Sequence, residues 1–548
     1  MARAPRLSGF PLVAAARLVR SRVGSTALSA LLRKELKVSE LRRLPESLRG
    51  ALPLDARPVA GRSPRAGTDA SLPAPRAPWS GSSASIAEAY RAGRTNPEEL
   101  VEKALRAARD LAARSPSVGP LMAYAEEAAR AEAKAATARL RAGQPLGPLD
   151  GIPTAIKEEL SILGFPWSRG TDIGDPAPRT EDATAAARLR ASGAVNLGVT
   201  PMTEYGLTPT GINAKRTMPR NPHRTDRFAG GSSTGSGVAV ATGVVPFAIG
   251  ADGGGSIRIP AAMNGVFGIK PTWGRVSRYG GSGGSVAHVG PIASSTLDLA
   301  RVIDAISGPD PRDPETREAP APGGLERAIG RGVRGLTIGV LDDEFADADP
   351  RVAQAGRAAL DALVKEGARI VRVSTPLARY APAIGYVTIA VEARAILSRE
   401  WREHGDQLSP DLQLTFATLD ALTAPELLDA QRLRAGLRRD VARLFEEVDL
   451  LALPTTVSTA GKVTDAEMAS GVVDTQVLDG LCRFAFLANL TGLPAGSAPV
   501  GFDAAGLPIG FQLVGDAWDE ATVLVAMAHL ERIDAARVTR PAIAVDLG

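Results

Sequence analysis

Residues 230–260 read GGSSTGSGVAVATGVVPFAIGADGGGSIRIP, an apolar run with a cluster of glycine and serine at each end. Ser232 lies in the first cluster and Ser256 in the second. Flanking glycines allow the backbone to adopt positive φ and to approach a ligand without an intervening Cβ atom. Successive backbone N–H groups in such a loop can form a concave site for an oxyanion. Two such clusters, with Lys157 upstream as a base, indicate acyl-transfer chemistry.

Three simpler interpretations of this stretch fit less well. A phosphate-binding loop needs Gly-Lys-Ser or Gly-Lys-Thr at its end and a strand before it, and neither is present. The pentapeptide Gly231–Gly235 matches the G-x-S-x-G nucleophile elbow, but residues 223–229 (HRTDRFA) do not read as the strand that feeds an elbow. A purely structural turn would explain the first cluster and leave the second unexplained.

The remaining interpretation is a Ser–Ser–Lys system. A serine hydroxyl is a weak nucleophile and needs an adjacent base, and a lysine can serve if burial holds it neutral. Lys157 ends the apolar segment Gly151–Lys157, which predicts a short buried strand. Glu158 and Glu159 follow it and would favour the charged form of the amine if they face it. A bridging serine would let this base reach a more distant nucleophile.

The composition argues against several function classes. The chain has 548 residues, enough for two or three ordinary domains or one large α/β domain, and is 44% hydrophobic. Aromatic residues make up only 4%, which argues against a base-stacking surface for nucleic acid. The single cysteine, Cys482, excludes an intrachain disulfide, and the four histidines are scattered. We therefore expect no metal site and, unless one lone histidine serves it, no Ser-His-Asp triad.

Basic charge is concentrated at the N-terminus. Residues 1–50 contain 11 Lys and Arg against 3 Asp and Glu, although the net charge of the whole chain is only +4. Phe10–Leu44 reads as one or two amphipathic helices, with four leucines between residues 28 and 36 on one face. Such helices pack on the protein's own surface or bind a membrane surface through their arginines, and a transit-like tail is the third alternative. Arginines interrupt the only candidate core of a signal peptide.

Local signals divide the chain and indicate its fold class. We predict a basic amphipathic helical extension over residues 1–52, a Pro- and Ser-rich linker over 53–84, and a catalytic domain over 85–540. Alternating strand and helix signals inside the domain predict an α/β fold with a parallel or mixed sheet covered on both faces. The predicted elements include a helix begun by Asn96 and Pro97, a helix from about Leu121 to Ala142, the strands Thr337–Leu341, Arg369–Val373 and Val448–Leu453, and the helix Pro350–Lys365.

Several motifs together resemble the amidase signature family of serine hydrolases. Besides Gly230–Pro260 and Lys157, they are Asn196–Gly198, Arg220–Pro222, Gly268–Arg275, Gly290–Ala293, Thr491–Pro494 and Gly506–Gly510. The similarity extends from about Ser85 to Ile533. It implies the amidase signature fold, a large twisted mixed β-sheet covered by helices on both faces.

The resemblance assigns roles to single residues. It implies that Ser256 is the nucleophile and that Ser232, held by a cis Gly231–Ser232 peptide bond, relays its proton to Lys157. The oxyanion hole would consist of the backbone N–H groups of Gly253, Gly254, Gly255 and Ser256, with Ser233 as a supporting hydrogen-bond residue. Asp252 and Arg258 would brace the loop. Gly253 replaces the Thr or Ile common at its position, which predicts a looser edge of the hole.

Within the family, the chain is most similar to the plant-type fatty acid amide hydrolases. The basic N-terminal extension, Asp252–Ser256, Val473–Val477 and Arg483–Leu490 carry this resemblance. It implies hydrolysis of N-acyl amides such as N-acylethanolamines to fatty acid and amine. The alternative is a general amidase for short aliphatic or aryl amides. An amidase component of a transamidosome and a non-catalytic protein on the same fold rank below it.

The resemblance also implies which partners to expect. They are a small-molecule or lipid amide substrate, no nucleic acid and no cofactor. A cytoplasmic location is expected, and the sequence leaves open peripheral membrane contact through residues 1–50 and a homodimer.

Overall fold

A large mixed sheet organises the computed structural model, which describes residues 6–19, 34, 37–52, 56–58, 81–281 and 283–547. The strands are β1 Leu7–Ser8, β2 Ala123–Tyr124, β3 Pro153–Lys157, β4 Val195–Thr200, β5 Phe247–Asp252, β6 Phe267–Lys270, β7 His288–Ala293, β8 Thr337–Leu341, β9 Arg369–Val373, β10 Leu450–Pro454, β11 Val472–Val473, β12 Ala495–Phe502 and β13 Pro508–Gly515. Eleven of them form one sheet in the order β2-β4-β3-β5-β7-β6-β12-β13-β10-β8-β9, and β1 pairs separately with β11.

Helices surround this sheet. In the described residues the α-helices are Gly9–Val19, Val38–Arg43, Ser83–Arg91, Pro97–Ala112, Glu126–Arg141, Thr184–Ala191, Thr234–Ala241, Arg258–Asn264, Thr296–Ile306, Leu325–Ala328, Asp342–Ala346, Pro350–Lys365, Ala381–Ile396, Ser398–His404, Pro410–Leu419, Ala424–Leu444, Asp465–Ser470, Thr475–Cys482, Phe486–Thr491 and Glu520–Arg532. Short 3₁₀ turns are Glu46–Leu48, Glu204–Gly206, Pro314–Thr316 and Ala378–Tyr380.

The central strands are covered on both faces. Every residue of β3, β4, β5, β7 and β13 is buried, which requires packing above and below the sheet. The predicted α/β class with a mixed, helix-covered sheet is therefore confirmed. Edge strand β9 is largely exposed and carries Arg369 and Arg372, charges that discourage further strand pairing.

Parallel pairing near one end of the sheet positions the catalytic motifs. Strand β3 lies between β4 and β5 and runs parallel to both, with Ile156 opposite Ile249 of β5. The carboxyl ends of neighbouring parallel strands meet at the same edge of a sheet, where ligands of open α/β sheets commonly bind. Lys157 at the end of β3 and the segment after Asp252 at the end of β5 are thereby brought together.

Most predicted elements occur at or near their predicted bounds. Asn96 caps its helix by accepting the Glu99 N–H at 3.0 Å, and β8, β9 and Pro350–Lys365 have the predicted limits. The helix predicted from about Leu121 begins only at Glu126. The prediction of its start was wrong because Ala123 and Tyr124 pair with β4 as strand β2, and this tertiary pairing outweighs the helix propensity of the alanines.

The described part of the N-terminal extension packs against the body of the protein. Leu12, Ala16 and Val19 of the helix Gly9–Val19 are buried against Leu414 and Ala417. This contact favours the interpretation of a helix packed on the protein's own surface. The four leucines between 28 and 36, like residues 53–55 and 59–80 of the predicted linker, lie outside the described residues.

The described residues contain no single helix with the length and apolar composition needed to cross a bilayer. Only the bent pair Ala378–Ile396 and Ser398–His404, which meet at 67°, satisfies that criterion jointly.

Candidate active site

Lys157 is a fully buried cation at the end of β3. Its Nζ lies 2.8 Å from Ser232 Oγ and 3.4 Å from the carbonyl oxygen of Ala251 in β5. Its side chain has no solvent exposure. The predicted partner of Lys157 in the first serine cluster is thus within direct hydrogen-bond distance.

The two glutamates after Lys157 point in different directions. Glu159 Oε2 lies 2.5 Å from Lys157 Nζ. Glu158 faces away and accepts hydrogen bonds from the Met202 N–H at 2.9 Å and from Ser168 Oγ at 2.5 Å. Because a carboxylate stabilises a neighbouring ammonium ion, only Glu159 can influence the charge of this amine by direct contact.

Ser232 lies in a loop that precedes the helix Thr234–Ala241. The Gly231–Ser232 peptide bond is cis, as the family resemblance implied. The Gly231 N–H donates to Pro209 O at 2.7 Å and fixes the loop from the other side. Ser232 is 2% exposed, so its hydroxyl reaches Lys157 inside the protein and not through bulk water.

Ser233 connects the first serine cluster to the sheet. Its Oγ donates to Ala251 O at 3.1 Å and accepts from the Ala251 N–H at 3.2 Å. Its own N–H donates to Ser256 O at 3.2 Å. One fully buried side chain and its backbone thus hold the two serine clusters and β5 in a fixed relation.

Ser256 lies between β5 and the helix Arg258–Asn264. Both Ser256 and Ser232 line one cavity of about 150 Å³, which we call the catalytic cavity. Ser256 is 8% exposed, so its hydroxyl is more accessible than that of Ser232. Lys157, Ser232 and Ser256, predicted from the sequence as one system, are therefore gathered at one edge of the sheet.

The predicted oxyanion donors divide into two groups. The Gly255 N–H donates to Asp252 Oδ1 at 2.8 Å and is directed at that carboxylate. Within the described residues, the N–H groups of Gly253, Gly254 and Ser256 have no hydrogen-bond acceptor. These three N–H groups are the ones that remain available to an oxyanion in the catalytic cavity.

The glycines of this loop are required by their neighbours. A Cβ atom on Gly254 would lie 2.6 Å from Phe486 Cζ, and one on Gly253 would lie 2.7 Å from Ile389 Cδ1. The expectation of a looser edge at Gly253 was wrong, because Ile389 of the helix Ala381–Ile396 occupies the space that a side chain would fill.

A buried ion pair braces the loop behind Ser256. Arg258 Nη2 lies 2.9 Å from Asp252 Oδ1, and neither side chain is exposed. Burial opposes ionisation of Asp252, but Arg258 and Asn489 outweigh it and hold the pKa of this carboxyl well below its usual range. Arg258 also donates to Gln512 Oε1 at 2.6 Å in β13. The ion pair therefore ties the loop to a distant part of the sheet.

Several cavity residues were not found by sequence reasoning. Arg169 lies over the rings of Trp167 and Tyr205, at 4.8 and 5.2 Å from the ring centroids, and pairs with Glu400 at 3.2 Å. Glu392 lines the same cavity and accepts from the Ser285 N–H at 2.8 Å. No motif marks these residues, since loops and a helix far away in the chain contribute them.

A second cavity adjoins the first. It has a volume of about 130 Å³, and Leu207 and Ile389 line both cavities. Its wall is mainly apolar, with Leu414, Leu419, Leu478, Val472, Val473, Ala383 and Ala390 among the contributors. We call it the apolar cavity. Its position extends the space beside Ser256 into a region suited to hydrocarbon.

Cys482 and the histidines do not form a further centre. Burial raises the pKa of the Cys482 thiol to about 12, which makes it unreactive. Among the described residues, no group of three or more His, Cys, Asp or Glu side chains could hold a metal ion.

Comparison with known proteins agrees with the geometry. The model of the amidase family matches residues 99–524. The chain is 36% identical over 485 residues to the amidase component of glutamyl-tRNA(Gln) amidotransferase from Chloroflexus aggregans (strain MD-66 / DSM 9485), covering 83% of this chain and 97% of that protein. It is 32% identical over 482 residues to "Fatty acid amide hydrolase" of Medicago truncatula, covering 84% and 79%.

A solved structure shares the architecture as well. It is described as a vestigial protein complex that reveals the evolutionary origins of an s-triazine catabolic enzyme. It superposes with a TM-score of 0.77 at 33% identity and covers 84% of this chain and 100% of its own. Sequence similarity along most of the chain, together with the shared sheet, places the protein: it belongs to the amidase signature family and is an amide hydrolase.

Proposed function

We propose that this chain hydrolyses N-acyl amides with Ser256 as nucleophile, Ser232 as proton relay and Lys157 as base. The observation that carries the proposal is the 2.8 Å contact between Lys157 Nζ and Ser232 Oγ beside the cavity that Ser256 lines. A buried base joined to a serine in this way can activate a second hydroxyl through one intervening group.

Each step of the reaction has a group in position. Ser256 Oγ attacks the amide carbonyl, and its proton passes through Ser232 to Lys157. The developing oxyanion accepts hydrogen bonds from the N–H groups of Gly253, Gly254 and Ser256. Lys157 returns the proton through Ser232 to the departing nitrogen as the C–N bond breaks. Water then attacks the acyl-serine by the reverse route and releases the carboxylic acid.

The substrate class we propose is an amide with an extended hydrocarbon acyl chain, such as an N-acylethanolamine. The apolar cavity supports this, because it adjoins the catalytic cavity at Leu207 and Ile389 and could accept a chain attached at Ser256. The similarity to the Medicago fatty acid amide hydrolase supports it as well.

Covalent labelling tests the assignment of the nucleophile. A fluorophosphonate should add one adduct to the chain, and Ser256→Ala should abolish it. The tryptic peptide Phe228–Arg258 contains both serines, so fragment ions must place the adduct. An adduct on Ser232, or full labelling of Ser256→Ala, would overturn the assignment.

An acyl-chain series tests the substrate class. Ethanolamides with acyl chains from acetyl to palmitoyl, together with aryl amides, should show kcat/KM rising with chain length. Highest values for acetyl or aryl amides would replace the proposal with a general amidase for short amides. The charged residues Glu159, Arg169 and Glu392 around the catalytic cavity are the structural feature that this alternative would use.

A second candidate function follows from the 36% identity to the glutamyl-tRNA(Gln) amidotransferase component. In that case glutamine would be the amide substrate, and the chain would act in a complex. Release of ammonia from glutamine, faster than from any acyl ethanolamide, would favour this function. Absence of such release from the purified chain, alongside turnover of long-chain amides, would exclude it for the isolated protein.

A further inference from the structure

A cleft rich in arginine lies next to the catalytic cavity. It has a volume of about 630 Å³, and Gly281 and Gly283 line both spaces. Four arginines line it, namely Arg57, Arg278, Arg312 and Arg317, against the two carboxylates Asp313 and Glu315. The cleft is therefore a cationic space that opens beside the active site and apart from the apolar cavity.

Its aromatic residues hold two of the arginines in place. The Arg278 guanidinium lies 4.8 Å from the centroid of the Trp273 ring, and that of Arg312 lies 4.4 Å from the centroid of the Tyr279 ring. Stacking on a ring orients a guanidinium without using its N–H donors. An arginine held in this way is suited to planar recognition of phosphate or carboxylate.

The side-chain groups without partners in the cleft are hydrogen-bond donors. Arg278 Nε and Trp273 Nε1 are buried and have no acceptor among the described residues, and the Asp313 carboxylate lies 3.9 Å from Arg278 Nε. Arg317 is exposed, and its guanidinium makes no hydrogen bond or ion pair with the part of the chain that the structure describes. A surplus of donors over acceptors complements an anion, which offers acceptors only.

The catalytic cavity itself is unsuited to an anion. Glu159 and Glu392 both line it, and Glu392 already accepts hydrogen bonds from Ser285. An anionic group on a bound substrate would be repelled there and attracted beyond Gly281 and Gly283. Its distance from the amide nitrogen must therefore be several bonds, which a phosphoethanolamine unit provides and a glycine unit does not.

We propose that the cleft binds an anionic group on the amine portion of the substrate, which makes phosphate-bearing N-acyl amides better substrates than neutral ones. This inference rests on the proposed function and specifies the leaving group of the same reaction. Hydrolysis would break the amide C–N bond, leave the acyl group on Ser256 and release the protonated amine with its phosphate intact.

A matched pair of substrates tests the inference. N-dodecanoylethanolamine and its O-phosphate ester differ only in the phosphate. For the unaltered protein in low salt, kcat/KM should favour the phosphate ester by about tenfold, and this preference should shrink as salt screens the charges. Arg312→Gln and Arg317→Gln should each reduce the preference about two- to fivefold. Arg372→Gln, at an arginine that is 89% exposed on β9, is the matched control and should leave the preference unchanged.

Binding to the Ser256→Ala variant separates this inference from the proposed function. If neither amide is hydrolysed, the proposed function has failed, and the ratio of the two dissociation constants still decides whether the cleft recognises the phosphate. A ratio near one, in hydrolysis or in binding, would overturn the inference. An equal loss of preference in Arg372→Gln would overturn it too, because the effect would then come from overall charge.

Discussion

The two walls of the catalytic cavity are built in different ways. One wall, which we call the sheet wall, consists of Lys157, Ser232 and the loop Gly253–Ser256 at the ends of β3 and β5. The opposite wall, the helix wall, consists of Ile389 and Glu392 of the helix Ala381–Ile396, with Phe486 packed behind Gly254. The chemistry depends on the sheet wall, and the shape of the space depends on the helix wall.

This difference has a physical basis. Backbone pairing between parallel strands fixes the sheet wall, and a strand cannot shift without breaking its hydrogen-bonded register. Side-chain packing fixes the helix wall, where one residue can be replaced at the cost of local repacking. We therefore expect substitutions in the sheet wall to abolish turnover and those in the helix wall to alter selectivity.

The largest expected effect is that of Lys157→Ala in the sheet wall. Removing the base should lower kcat/KM for a long-chain ethanolamide at neutral pH by about 10³-fold or more. Lys157→Met, which keeps most of the buried volume, should lose as much activity. Urea unfolding midpoints near that of the unaltered protein would show that the fold persists. Full turnover by a folded Lys157 variant would remove lysine from the mechanism.

The next effect joins the two walls through Gly254 and Phe486. In Gly254→Ala the new methyl group would lie 2.6 Å from Phe486 Cζ, so the loop must move. A shift of about 1 Å in a catalytic loop costs about 10²-fold in kcat. Phe486→Leu in the same chain should restore at least about tenfold of that loss, because it removes the opposing ring. Additive losses in the double variant would show that this contact does not position the loop.

The sheet wall could largely be predicted from the sequence. Glycine and serine clusters separated by one apolar run, and a lysine that ends a short strand, are local signals of backbone conformation and burial. They identified Lys157, Ser232 and Ser256, which the structure brings to one edge of the sheet. The elements around them, including β8, β9 and Pro350–Lys365, were equally local and have the predicted bounds.

The helix wall could not be predicted from the sequence. Ile389 is an ordinary apolar residue in an apolar helix, and only the tertiary packing places it against Gly253. Glu392 and Arg169 reach the cavity from elements that no short motif connects. The same limit explains why the start of the helix at Glu126 was missed, since β2 exists only by pairing with β4.

A smaller effect is expected from Ile389→Ala in the helix wall. Ile389 lines both cavities, so its truncation should widen their junction and raise the relative kcat/KM for the longest or branched acyl chains about threefold to tenfold. The rate of fluorophosphonate labelling at Ser256 should change less than this selectivity. Val364→Ala, on an exposed part of Pro350–Lys365, is the control. An equal loss for all chain lengths would show that Ile389 supports the catalytic loop and does not set selectivity.

The smallest expected effect lies beyond the helix wall, at Asp411 in the apolar cavity. Burial, with Glu204 nearby, raises the pKa of this carboxyl from 3.8 to about 6, and its Oδ1 has no hydrogen-bond partner among the described residues. Because the folded protein binds this proton more tightly than the unfolded chain does, the free energy of unfolding should fall as pH rises from 3.8 to about 6 and level off above.

Asp411→Asn should remove that fall in stability. Above pH 6 the variant should be more stable than the unaltered protein by up to about 2 kcal/mol, and below pH 4 the two should converge. Urea unfolding between pH 4 and pH 8 measures the difference, with the exposed Asp361→Asn as control. A difference independent of pH would mean that Asp411 ionises as easily in the folded protein as in the unfolded chain. The cavity beyond the helix wall would then be better hydrated than its apolar lining indicates, and less suited to a hydrocarbon chain.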